Sequence, residues 1–318
     1  MTAMAEGHDG HRTHRVIVVG SVNIDFSITA DTLPAPGETV LGRDFRRSLG
    51  GKGANQAAAA SRYGASTVIV GAVGDDDEGR EAVTCLNSDG IDTSGIIFLP
   101  DQRTGVALIS VDSHAQNQIV VAQGANGRLD RESVRRSLLA AAEGSDHVTV
   151  LASLEIPLDA VIAASEVSAE QGWTLVVNPA PYQPLPSEVM GRIDVLTPNE
   201  VEAAALLGGP SWSDDPAALA GLFHSGVKAV VVTLGPAGAV VITSDSRHDV
   251  PAPPVTAIDA TGAGDVFNGV LAAELACGSS LEVAARVGVT AASLATTVPG
   301  ARTAPPRVEV IRVMDSRA

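Results

Sequence analysis

The chain has 318 residues, 45% hydrophobic and 3% aromatic, enough to bury a large aliphatic core as one big α/β domain or as one domain with an appendage. A formal net charge of −16 argues against nucleic acid or an anionic membrane as the main partner. Nothing approaches a membrane span, and Cys85 and Cys277, far apart and without metal-ligand spacing, read as thiols of a reduced, cytoplasmic protein.

Residues 1–14 lack the apolar core of a signal peptide and carry His8, His11 and His14 in a polar, glycine-containing stretch. Nothing nearby could fix three imidazoles, so this stretch is expected to be a disordered tail, with the folded domain at 15–318. From Arg15 the pattern alternates. Val16–Val19, Val68–Val70, Val148–Leu151, Leu175–Val177, Val195-Leu196 and Val230–Val232 are short β-branched runs. Helical patterns such as Val134, Leu138, Leu139 and Ala142 lie between them. Runs that are apolar throughout belong to strands covered on both faces, which predicts a three-layer α/β/α sandwich with a mostly parallel central sheet.

A second pattern interrupts the first. Phe26–Thr29, Thr39–Leu41, Gly105–Val111 and Gln118–Val121 read as strands without intervening helices, within about 25–50 and 104–123. They predict a small β-sheet beside the main one. Neither an internal repeat nor a Pro/Gly/Ser linker divides the chain.

Open sheets of this kind bind ligands beyond the carboxyl ends of their strands. Polar residues gather there: Asn23 and Asp25 after the first strand, Glu155, Asn178, Asn199 and Glu202, then Thr233 and Gly235. Each alone could cap a helix or make a turn; their convergence on one edge is harder to explain by capping.

The most informative stretch is Asp259-Ala260-Thr261-Gly262-Ala263-Gly264-Asp265. Val266 and Val270, with Phe267, Leu271 and Leu275, recur at helical spacing, so Gly262-Ala263-Gly264 sits at a helix N-terminus whose N–H groups have no partner within the helix. Such groups attract anions. Asp265 beside them could take a proton from a substrate hydroxyl during phosphoryl transfer; an acid that merely stabilises the helix start is the plain alternative. Better-known phosphate loops are excluded. Gly262–Phe267 lacks the last glycine of a dinucleotide fingerprint, and Gly51-Lys52 is followed by Gly53 where a Walker A loop has Ser or Thr.

These residues carry a resemblance. From about Val16 to Val313 the chain resembles the PfkB carbohydrate kinases, through Gly50-Gly51-Lys52-Gly53-Ala54-Asn55-Gln56-Ala57 and Asp259–Asp265. Further matches are Gly20–Asp25, Pro36–Thr39, Asn178–Pro181, Thr197–Glu200 and Thr233–Gly235. Within the family, the first motif and the Asn-Pro-Ala-Pro run resemble the ribokinase branch more than fructokinases or adenosine kinases. The resemblance implies an ATP-dependent sugar kinase acting on the ribose 5-hydroxyl; a kinase for deoxyribose, another sugar or a nucleoside is the alternative, and a non-catalytic sugar-binding sensor a more distant one.

It also implies roles. Asn23, Asp25, Gly51, Lys52, Asn55 and Glu155 would hold the sugar, whose hydroxyls suit amide and carboxylate partners. Asn199 and Glu202 would organise water around the Mg2+ of ATP, and Thr233, Gly235 and Gly264 would touch the nucleotide. Asp265 would be the catalytic base, also touching the sugar, and the amides around Gly262, Ala263, Gly264 and Asp265 an anion hole. Asp259, Thr261, Ala295, Val298 and Gly300 would hold an activating monovalent cation, K+. Ala260 and Ala304 depart from the family pattern, which has Thr and Ser there, so that cation is expected to bind through backbone carbonyls. The small sheet would be a lid over the sugar and the seam of a homodimer.

Overall fold

The computed structural model describes residues 14–114, 116–212 and 216–316. Its sheet is built outward from the first strand, β1 (His14–Val19), whose apolar residues alternate between two cores. Val16 and Val18 enter one core, Ile17 and Val19 the other, and all four are fully buried. β1 pairs in parallel with β4 (Ser66–Gly74) on one side and β8 (His147–Ser153) on the other. β5 (Asp92–Leu99) extends the sheet beyond β4, and β9 (Thr174–Asn178), β10 (Val195–Leu196) and β11 (Ala229–Thr233) extend it beyond β8, all in parallel. An antiparallel hairpin, β12 (Gly238–Thr243) and β13 (Arg247–Pro251), closes that edge. The resulting order is β13-β12-β11-β10-β9-β8-β1-β4-β5.

One face is covered by α1 (Lys52–Tyr63), α2 (Asp77–Ser88), α8 (Ala263–Ala276), α9 (Leu281–Ala295) and α10 (Arg307–Asp315). The other carries α3 (Arg131–Ala141), α4 (Leu158–Gln171), α5 (Ser187–Met190), α6 (Glu200–Leu206) and α7 (Pro216–His224). This is the predicted three-layer α/β/α sandwich. Helix α8 is buried almost all round, as expected of a helix apolar on every side. It lies directly on α1 because Gly269 has no side chain: a Cβ there would stand 2.4 Å from the Gln56 carbonyl oxygen. That close approach brings the start of α1 against the start of α8.

A second sheet, in the order β3-β2-β6-β7, consists of β2 (Asn23–Ala30), β3 (Gly42–Gly50), β6 (Gly105–Val111) and β7 (Asn117–Ala122). The run Thr39–Leu41 is not one of its strands. Pairing with β2 ends at Ala30 opposite Gly42, so residues before 42 have no strand to pair with, and Leu41 is 93% exposed. β2 and β6 run parallel, which joins the two hairpin-like halves into one sheet. Ile28, Phe45, Leu108, Ile119, Val120 and Val121 remain exposed on it.

The expected disordered tail lies outside the described residues except for His14, which opens β1 and stacks on His147 at 5.3 Å between ring centroids. Both cysteines are free. Among the described residues no helix is long and apolar enough to cross a membrane.

Candidate active site

The parallel strands deliver their loops to one edge, where the chain enters α8 through Gly262. This residue caps the helix with φ 74°, and a Cβ on it would stand 2.4 Å from the Ala301 carbonyl oxygen, so both conformation and space call for glycine. The turn before it is tied by Asp259, whose Oδ1 accepts from the Thr261 N–H (2.9 Å) and Oδ2 from the Gly300 N–H (2.8 Å). Burial pushes this carboxyl upward, but those hydrogen bonds outweigh it and hold Asp259 below the usual carboxylate range. The Ala263 N–H turns back to the Ala260 carbonyl at 3.2 Å, which makes it a poorer anion donor than its place in the motif implied. Gly264 and Asp265, one step further into the first turn, have no carbonyl within the helix for their N–H groups.

Asp265, on that same turn, is 7% exposed. Its two oxygens are gripped from α1: Asn55 Nδ2 donates to Oδ2 at 3.1 Å and Gln56 Nε2 to Oδ1 at 3.2 Å. Burial raises its pKa; Lys52 and the Asn55 hydrogen bond work against the rise, Glu155 adds to it, and Gln56 opposes it. The carboxyl is thus buried, oriented and poised above its ordinary value, which are the attributes of a general base.

A polar cluster spreads from Asp265 toward the small sheet. Glu155, after β8, accepts from Ser21 Oγ at 2.5 Å and from the Lys52 N–H at 3.1 Å, fixing it beside the start of α1. Gly51 caps α1 with φ 90°, where a Cβ would stand 2.8 Å from the Ser21 carbonyl oxygen. Asn23 is buried and its Oδ1 accepts from Asn126 Nδ2 at 2.8 Å; Asn126 in turn bonds both the N–H and the carbonyl of Val22. Asp25 lies on β2 against Gly50, where only a glycine leaves room: a Cβ at position 50 would stand 2.0 Å from Asp25 Oδ2. Asp25 Oδ1 is buried with no hydrogen-bond partner. Its pKa is pushed up to about 6, by burial first and then by the negative charges of Glu155 and Asp265.

Two cavities meet over the helix start. A polar one of about 230 Å³ is lined by Lys52, Asn178, Thr197, Asn199, Glu202 and Asp265. An apolar groove of about 510 Å³ runs from it between the β12–β13 edge and α9, past Gly235, Pro253, Val255, Phe267, Val289 and Ala292. Thr233, Ala260, Ala263 and Gly264 belong to both, so a ligand lying in the groove would reach Asp265 across the α8 N-terminus. The groove thus offers an apolar wall that leads to a helix N-terminus suited to anions.

Asn199 and Glu202 make a reciprocal cap of α6: Asn199 Oδ1 accepts from the Glu202 N–H (2.8 Å) and Glu202 Oε2 from the Asn199 N–H (2.9 Å). The capping reading therefore holds for both, and Glu202 also lines the polar cavity. Burial raises the Glu202 pKa, the Asn199 hydrogen bond and Lys52 oppose it, and Asp265 adds to it. Among the described residues no three His, Cys, Asp or Glu side chains gather as a metal cluster. Of the residues expected around a monovalent cation, Thr261 and Gly300 bind Asp259, while the carbonyls of Ala295 and Gly300 share the Thr303 hydroxyl at 3.1 and 3.2 Å. Val298 stands half-exposed beside them, and Ala304 is buried.

Thus Asn23, Asp25, Gly51, Lys52, Asn55, Glu155 and Asp265 form one cluster, and Thr233, Gly235 and Gly264 one groove. Sequence reasoning missed Ser21, Gln56, Asn126, Asn268 and Thr303. Asn268 accepts from Thr197 Oγ1 (2.5 Å) and donates to the Gly264 carbonyl (2.8 Å). Ser21 and Gln56 stand inside the quoted motifs and were findable there; Asn126, Asn268 and Thr303 carry no local signal.

Comparisons with known proteins bear on the family and the fold. Residues 13–307 match the pfkB family carbohydrate kinase profile. The chain is 37% identical over 302 residues to the ribokinase of Haemophilus influenzae, covering 94% of this chain and 97% of that one, and 36% identical over 307 residues to the ribokinase of Staphylococcus aureus, covering 94% and 99%. The Arabidopsis thaliana ribokinase, solved with ribose and ATP, superposes with a TM-score of 0.85 at 30% identity, covering 95% of this chain and 99% of that one. With the motifs, the fold and these likenesses, the chain belongs to the PfkB family of carbohydrate kinases and is a phosphotransferase.

Proposed function

We propose that this enzyme transfers the γ-phosphoryl group of ATP to the 5-hydroxyl of D-ribose, giving ribose 5-phosphate and ADP. The observation that carries this reading is the place of Asp265: buried, gripped through both oxygens, and standing where the polar cluster meets the groove at a helix N-terminus. Asn23, Asp25, Lys52, Asn55 and Glu155 bind the sugar, and Asp25 Oδ1 gains from a ribose hydroxyl the partner it lacks. Asp265 accepts the 5-hydroxyl proton as the sugar oxygen bonds to the γ-phosphorus and the bond to the β–γ bridging oxygen breaks; the proton then passes to solvent. The Gly264 and Asp265 N–H groups and the α8 dipole face the charge on the transferred group.

Magnesium fits the oxygen-only wall offered by Glu202 and Asn199, which would hold its water shell. When bound it neutralises the ATP phosphates. A monovalent cation fits the ionised Asp259 with the carbonyls of Ala295, Val298 and Gly300, close to the α8 N-terminus; K+ is the expected ion. The apolar residues exposed on the small sheet support closure over the sugar and pairing of two copies through it, and the compartment we propose is the cytoplasm. The test is ADP release from Mg·ATP with ribose, deoxyribose, fructose and adenosine. A preference for ribose is expected; a preference for adenosine would overturn the sugar assignment while leaving the kinase intact.

A further inference from the structure

Gln56 is given no role of its own in the reading above beyond its bond to Asp265, yet it is completely buried one residue from the sugar-binding Asn55. Its Nε2 lies 3.2 Å from Asp265 Oδ1 and 3.1 Å from Asn178 Oδ1. Both neighbours are acceptors, so the amide nitrogen must face them; the reverse rotamer would set its oxygen against two oxygens. Asn178 is itself oriented, because its Nδ2 donates to the Thr197 carbonyl at 2.9 Å. A hydrogen-bonded chain therefore links Thr197, just after β10, through Asn178 and Gln56 to the carboxylate, with Gln56 Nε2 donating to both of its neighbours. Gln56 Oε1 is buried without a partner, a cost that a purely structural glutamine would have no reason to carry.

The torsion that turns a carboxylate about its last bond is soft, with no sharp rotamer of its own. One hydrogen bond from Asn55 to Oδ2 would leave Asp265 free to swing. A second bond to the other oxygen fixes the plane, and with it the direction of the lone pairs left for a substrate hydroxyl. We propose that Gln56 is a positioning residue, which with Asn55 locks the plane of the Asp265 carboxylate and transmits to it the alignment of Asn178 and Thr197.

This inference rests on Asp265 being the base, so its test has one arm that needs no turnover. Gln56→Met keeps the volume and removes the donor. Carbon-13 NMR of the aspartate-labelled, ligand-free protein should show the Asp265 carboxyl titrating at higher pH in Q56M than in the parent, because a bond to the charged form is gone. In kinetics, Q56M should lower kcat about ten- to a hundredfold with KM for sugar and ATP changed less than about threefold, and should move the acidic limb of the pH profile upward. In an Asp265→Asn background the same substitution should leave the residual rate unchanged. A folded Q56M with an unmoved titration and an unmoved acidic limb would overturn the proposal. Should Q56M not fold, Asn178→Ala, which frees Gln56 from its far anchor, must show the same upward titration, and its absence is equally fatal. Failure of every sugar to release ADP with the wild type refutes the kinase reading instead, and the titration still decides the role of Gln56.

Discussion

Asp25 is held in its ionised form at neutral pH against three disadvantages: burial, two nearby negative charges, and an oxygen with no donor. Such a group destabilises the ligand-free fold, and the sign follows from proton linkage. Its folded pKa of about 6 lies above the ordinary 3.8, so below pH 3.8 both states hold the proton and no penalty exists. Between 3.8 and 6 the unfolded chain releases the proton first, and stability falls as pH rises through that window. Above about 6 the full penalty is present. At ~1.4 kcal/mol per tenfold change in proton affinity, the gap amounts to about 3 kcal/mol. Asp25→Asn removes the titrating charge, so the ligand-free variant should match the wild type near pH 4 and be more stable by about 2–3 kcal/mol at pH 7.5, while losing sugar affinity. Urea denaturation of both proteins at a series of pH values reads this, since carboxyls other than the coupled neighbours Glu155 and Asp265 contribute nearly equally and cancel. If the stability difference is flat from pH 4 to 7.5, the account of Asp25 as a carboxylate awaiting a sugar hydroxyl is wrong.

Other expectations follow from the same geometry. Asp265→Asn should keep the fold and ligand binding yet lose about a hundredfold or more in kcat, measured by coupled ADP release. Because burial raises the Asp265 pKa and the base must be deprotonated, turnover should fall as pH drops through that raised value, on an acidic limb lying above the ordinary carboxylate range. Asp259→Ala unties the turn at Thr261 and Gly300, and should abolish any difference between potassium and sodium buffers as well as lowering kcat. The hydroxyls of Ser293 and Thr296, on the α9 side of the groove, already donate to the carbonyls of Val289 and Ser293, so neither has a proton left over to read a base edge. GTP should therefore replace ATP with a loss in kcat/KM below about a hundredfold, the discrimination expected of a largely apolar pocket.

The layered fold was legible because its strands are short and apolar throughout. Val16–Val19 could only belong to a strand with a core on each face. The edge strands were not: β12 and β13 differ in pattern, and Arg247–Pro251 buries only Val250, so neither periodicity nor composition marked it. Thr39–Leu41 looked like a strand because it is β-branched and apolar, but a strand also needs a neighbour, and β2 ends too soon to provide one.

The sequence by itself determined the chemistry on offer: an acid in the first turn of a glycine-led helix, and amides and carboxylates at the ends of parallel strands. Which of these meet was decided only by packing. Asn55 and Gln56 lie 210 and 209 residues from the carboxylate they hold, and they reach it because α8 settles on α1 at Gly269. The Asn126 that fixes Asn23 and the Thr303 that gathers two carbonyls are ordinary polar residues until the chain folds. Hydrogen bonds act over about 3 Å, and a linear pattern does not record distances between segments so far apart in the chain.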